Sequence, residues 1–131
     1  MSIEAEVSKR VYQMRKLHEE FSNGRFEEMN DLYSDDFKGW LYIPSKSKVE
    51  LYNAEQIKQG NKEAAKSYQG KEIKFIYSGL KIIPQSDVQA AVSYEIIHQY
   101  KEKIVRALSL EVWRKELDGN WRMIRWYEEK G

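Results

Sequence analysis

The sequence has no cysteine among its 131 residues. Disulfides, thiolate metal sites and thiol nucleophiles are excluded together, and a reducing cytoplasm is the expected location. With only two histidines there is no metal-ligand spacing, so neither a metal nor another cofactor is expected. GxSxG, P-loop and glycine-rich dinucleotide motifs are all missing. Long apolar runs are missing too, and the acidic, amphipathic start "MSIEAEVSKR" is unlike a signal peptide, so no membrane association is expected. Nor does one sign of charge dominate. Twenty-two basic residues nearly cancel 21 acidic ones, leaving +1, which argues against nucleic acid as a partner. What is present is 41% hydrophobic and 33% charged residues, an ordinary globular balance. One domain over 1–131 can bury a core without covalent staples.

Apolar residues at Ile3, Val7, Val11, Met14, Leu17 and Phe21 recur every three or four positions, the stripe of a long helix. Asn23-Gly24 stops it, because glycine accepts the left-handed conformation. "RFEEMNDLY" reads as a short second helix. "SDDFKGWLYIP" reads as a first strand ended by Pro44 and a polar loop. Asn53 and Gln56 form a capping-box pair for a third helix, whose Lys58, Lys62 and Lys66 share a solvated face. After Gly70 the period changes to two. Residues 71–83, 87–100, 104–117 and 120–128 read as antiparallel strands, with turns at "QSD", "KEK" and Asp118-Gly119. The expected fold class is α+β, with N-terminal helices packed on a mostly antiparallel sheet.

Alternation assigns the faces. In 88–100 the even positions, including Tyr94, Ile96 and His98, are the more apolar set. In 104–114 the even positions Ile104, Leu108, Leu110 and Val112 are apolar, interrupted by Arg106 and Arg114. A three-residue loop at 101–103 pairs His98 with Arg106. The DG turn pairs Val112 with Arg125 and Leu110 with Tyr127. His98, Tyr94, Arg106, Arg125 and Tyr127 are then expected on the helix-covered side, and Arg122 on the other. Such guanidinium groups either snorkel to the sheet rim, pair with helix acids such as Glu19 or Asp36, or hold an anionic ligand that their forked donors fit. Tyr33 and Trp40 either roof the mouth of such a pocket or pack in the core. His98 is the chain's most usable acid/base group, with Tyr94 or Tyr127 as a hydrogen-bond donor, or else a satisfied core residue. On the opposite face Ile97, Trp113, Leu117, Ile124 and Trp126 make a surface too apolar for water, to be covered by a second copy in a homodimer, or by the third helix or a terminal segment.

The element order and the closing hairpin resemble the nuclear transport factor 2-like superfamily. The likeness rests on "VYQMRKLHEEFSNGRFEEMNDLYSDDFKGW" at the start and "SLEVWRKELDGNWRMIRWYEE" at the end. The C-terminal stretch is similar to the final hairpin of polyketide-cyclase-like members and of the association domain of calcium/calmodulin-dependent kinase II. The resemblance implies a cone-shaped fold, a pocket between the helices and the concave sheet, and frequent dimers through the outer face. It also implies a carboxylate base after the second helix in ketosteroid-isomerase-like members, yet "FKGWLYIP" carries no acid past Asp36. The expected function is a homodimeric small-molecule-binding domain with a cationic, aromatic-lined pocket for a small carboxylate or other anion. The alternatives are an isomerase, cyclase or dehydratase using His98, and an association module with a vestigial pocket.

Overall fold

The computed structural model describes residues 2–130. Helix α1 (Ile3–Glu19) is capped by Ser2, whose hydroxyl accepts from the Ala5 amide at 3.1 Å, and it buries Val7, Val11 and Met14. A 3₁₀ turn at Glu20–Asn23 ends at Gly24, whose φ of 74° is the expected left-handed stop. One turn, α2 (Glu27–Asn30), leads into β1 (Tyr33–Ile43). Helix α3 (Ala54–Tyr68) starts on the expected capping box, with Asn53 and Gln56 each bonding the other's backbone amide.

The polar loop expected after Pro44 instead contains a strand, β2 (Lys48–Asn53), paired antiparallel with β1 from Ile43↔Lys48 to Lys38↔Asn53. Six residues at a sheet edge need only one partner, so little apolar sequence is required. Strands β3 (Lys74–Ser86), β4 (Gln89–Tyr100), β5 (Lys103–Lys115) and β6 (Trp121–Lys130) follow as an antiparallel meander. The six-stranded sheet has the order β2-β1-β6-β5-β4-β3, and only β1 and β6 run parallel. Register shifts in β1, in β3 and between β5 and β6 bend this sheet around α1 and α3. The core lies between them and is built from Val11, Met14, Phe37, Val92, Trp113 and Met123 among others. Among the described residues no helix is long and apolar enough to cross a membrane.

Two local features reverse the expected faces. The β4–β5 turn holds two residues, not three: Tyr100 pairs with Lys103, and Lys101 takes a left-handed φ of 55°. His98 therefore pairs with Val105, and Arg106 faces away from it, opposite Ile97. On β5 the odd positions point at the helices, so Ala107, Ser109, Glu111 and Trp113 are buried. The other feature is a bulge at Ile124, between the pairs Trp113↔Met123 and Val112↔Arg125. It places Arg122 and Arg125, three positions apart, on the same outer face. The pairs Val112↔Arg125 and Leu110↔Tyr127 form as the turn predicts, but on that outer face. The DG segment is a longer turn: Gly119 donates to the Glu116 carbonyl, and Glu116 donates to that of Asn120.

Candidate functional site

A cavity of about 250 Å³ lies between the concave sheet and the two long helices. Helix α1 contributes Met14 and His18, and α3 contributes Ile57, Gly60, Asn61 and Ala64. The sheet supplies the chemistry. Tyr94 (β4), Ser109 (β5) and Glu128 (β6) lie in one cross-strand row, and Val92, Glu111 and Trp126 in the next. Cross-strand neighbours stand about 5 Å apart, so both carboxyls are brought to one patch of floor. The Trp126 ring reaches this position by passing over Gly39. A Cβ there would sit 2.6 Å from Trp126 and 2.9 Å from Phe37, so only glycine fits.

Glu111 is 1% exposed. Its Oε1 accepts from the Trp113 indole at 2.9 Å, and its Oε2 accepts from Ser109 at 3.3 Å and from the Tyr94 hydroxyl in a short bond. Burial raises its pKa to about 7, against the pull of these three donors. Glu128 is also raised to about 7, by burial first; Lys130 and a hydrogen bond from Trp126 oppose the rise, and the charge of Glu111 adds to it. The Tyr94 phenol is held well above its ordinary range by burial and by Glu111.

The two histidines flank Phe75 on the opposite wall. His18 stacks on it with centroids 5.1 Å apart, and His98 lies at 4.7 Å. Burial pushes both imidazoles down to about 4; His98 adds to the effect on His18, and Lys130 to that on His98. Both rings are neutral near pH 7 and offer an acceptor as well as a donor. The Tyr77 hydroxyl lies 3.5 Å from His18 Nδ1, and its ring stacks on Tyr94 at 4.3 Å.

Comparison by sequence found no matching family model and no matching curated protein. Comparison of folds found many. The calcium/calmodulin-dependent kinase II hub homology domain of Chlamydomonas reinhardtii superposes with a TM-score of 0.74 at 18% identity, covering 99% of both chains. A nuclear transport factor 2-like protein of unknown function from Pseudomonas aeruginosa gives 0.73 at 14% identity, over 95% of this chain and 98% of that one. The fold is nuclear transport factor 2-like. A ketosteroid isomerase-like protein from Erwinia carotovora shares it, at TM-score 0.59, 16% identity, and 91% and 92% coverage.

Within this nuclear transport factor 2-like frame, Tyr33, Tyr94 and His98 of the expected site residues line the cavity. Arg106, Arg125 and Tyr127 do not, because the short turn and the bulge leave their strand positions on the outer face, and Trp40 shares that face as the β1 partner of Tyr127. Trp40 and Tyr127 stack there, nearly parallel, with centroids 5.0 Å apart. Arg106 pairs with Glu95, and Arg125 donates to the carbonyls of Asp36 and Ile124. Among the described residues the expected arginines are therefore missing from the cavity lining, where one cation, Lys130, faces the two acids Glu111 and Glu128. Of the expected interface residues, Ile97 is on the outer face, whereas Trp113 is 0% exposed, Ile124 is buried at the bulge, and Trp126 lines the cavity. Glu111, Glu128 and His18 escape the sequence reading. The two acids sit at positions whose parity depends on the turn length and the bulge, and His18 lies on the flank of the α1 stripe.

Arg114 and Arg122 have a different task. Arg114 donates to Ser34 at 3.0 Å, Asp36 at 2.9 Å and Glu116 at 2.7 Å. Arg122 donates to Asp118 at 2.8 Å, Glu116 at 3.3 Å and the Asp31 carbonyl at 2.9 Å. Together they tie the β5–β6 turn to the start of β1, where the parallel pairing with β6 begins.

Proposed function

We propose that this protein is a small-molecule-binding domain that works as a homodimer in the cytoplasm and takes its ligand in the cavity between helices and sheet. The observation that carries the reading is the cavity itself, with aromatic walls, two carboxyls and two neutral imidazoles converging on one space. Ligand sites are commonly concave, mostly apolar and equipped with a few convergent polar groups. Gly60 provides the test, because it lines the cavity and a Cβ added there meets nothing within 4 Å. Gly60→Trp is expected to leave folding intact and to abolish the thermal-shift response to any compound that raises the wild-type midpoint. A ligand that stabilises both proteins equally would sink the reading.

The dimer half of the proposal rests on the outer face. Leu108 and Leu110 are 58% and 46% exposed, and Ile76, Ile104 and Tyr127 are exposed on the same side. Such a contiguous apolar sheet face is the usual mark of an interface. Leu110→Arg is expected to halve the mass found by sedimentation while leaving the circular dichroism spectrum unchanged. A wild-type protein already monomeric at high concentration would refute the dimer.

An alternative reading, an isomerase, cyclase or dehydratase type of enzyme, is favoured by the Tyr94–Glu111 contact. A carboxyl with a pKa of about 7 exchanges protons efficiently at neutral pH, and once protonated it can donate to the Tyr94 oxygen, which frees the phenol proton for a developing oxyanion. His98 then serves as the acid/base on the facing wall.

A further inference from the structure

We propose that the cavity selects a small organic cation, an amine or ammonium group carried on an apolar body. The proposal rests on the small-molecule reading above and names the ligand class.

Geometry supports it in three ways. First, the acids are inside and the guanidinium groups are outside. Glu111 and Glu128 share the floor, whereas Arg106, Arg114, Arg122 and Arg125 all occupy the outer face and are held there by acids or carbonyls. Second, the acceptors of Glu111 are fixed in place by Tyr94, Ser109 and Trp113, a preorganised carboxylate rather than a mobile one. Third, the remaining wall is aromatic: Phe21, Tyr52, Tyr68, Phe75 and Trp126 surround the space. Ring faces attract an ammonium group, most strongly where water is excluded.

The charge balance points the same way. The buried Glu111 and the half-buried Glu128 face one lysine, Lys130, and so are one counter-charge short. Without a ligand the cavity restores balance by holding a proton; with an organic cation it can release that proton. The groups facing the pair from other elements do not supply the charge. His18 from α1 and His98 from β4 are neutral, and Tyr33 from β1, Tyr77 from β3 and Tyr94 are phenols. An anion entering the same space would meet two acids and no arginine.

Three probes with one body separate the classes: phenethylamine, phenethyl alcohol and phenylacetate, each titrated calorimetrically into the purified protein at millimolar concentration near pH 7.5. Phenethylamine is expected to bind with proton release, seen as a heat that depends on the buffer's ionisation enthalpy. Glu128→Gln is expected to weaken it about tenfold, and Lys130→Gln, which removes the competing cation, to tighten it by a similar factor. The lysine variant keeps the test open if the glutamate variant fails to fold. Tighter binding of the alcohol or the acid, lost in Gly60→Trp, would overturn the cation proposal while leaving the cavity a ligand site. Binding by none of the three would overturn both.

Discussion

Replacing Trp113 by alanine is expected to remove about 3–5 kcal/mol of folding stability, the range for truncating a large aromatic in a closed core. The indole is 0% exposed and lies between Ala90 on β4 and Met123 on β6. Ala90 is itself small and fully buried, so it cannot fill the void. The same substitution takes the 2.9 Å indole donor away from Glu111 Oε1, which leaves a buried carboxyl with a free lone pair and raises its pKa further. For a domain whose whole stability is about 5–15 kcal/mol, the loss is about a fifth or more. Urea denaturation of Trp113→Ala beside Leu110→Ala measures it, since the outer leucine has no core void to leave. Equal, small losses in both would mean that Trp113 packs against the interface and not inside the domain.

The fold is largely legible in the sequence because its signals are local. The α1 stripe, the Gly24 stop, the Asn53–Gln56 box and the switch to period two after Gly70 each need only a few neighbouring residues. The site is less legible, for a physical reason visible on β5. Leu108, Leu110 and Val112 alternate with Ala107, Ser109, Glu111 and Trp113, and the rule that the apolar set faces the core selects the wrong side. The rule assumes an apolar interior and a wet exterior. Here the interior holds a polar cavity, and the exterior carries the proposed dimer face, so the contrast between the two sides is inverted. Register offers no rescue, because one residue of turn length at Lys101–Glu102 flips every side chain on the strand. Trp113 is the misleading residue: grouped with Ile97 it reads as interface, yet its indole is the donor that fixes Glu111.

Glu111→Gln and His98→Gln are expected to tilt the pH dependence of stability in opposite directions. The carboxyls of Glu111 and Glu128 rise from 4.5 to about 7 on folding, and the imidazoles of His18 and His98 fall from 6.5 to about 4. Between pH 4.5 and 6.5 the folded cavity holds two protons on its acids and none on its histidines. In the unfolded chain the same four groups hold two protons on the histidines and none on the acids. The counts match, so these groups give the wild-type protein nearly level stability across the window. Each acid contributes stability that is lost as pH rises toward 7, and each histidine contributes stability that is lost as pH falls toward 4. Removing Glu111 leaves the unfolded chain with one proton more, so stability rises with pH by up to about 1.4 kcal/mol per unit. Removing His98 leaves the folded state with one more, and stability falls with pH at up to about the same rate. Urea midpoints of the three proteins at the two ends of the window decide it. Two variants sloping the same way would show that the acids and histidines do not share one proton balance.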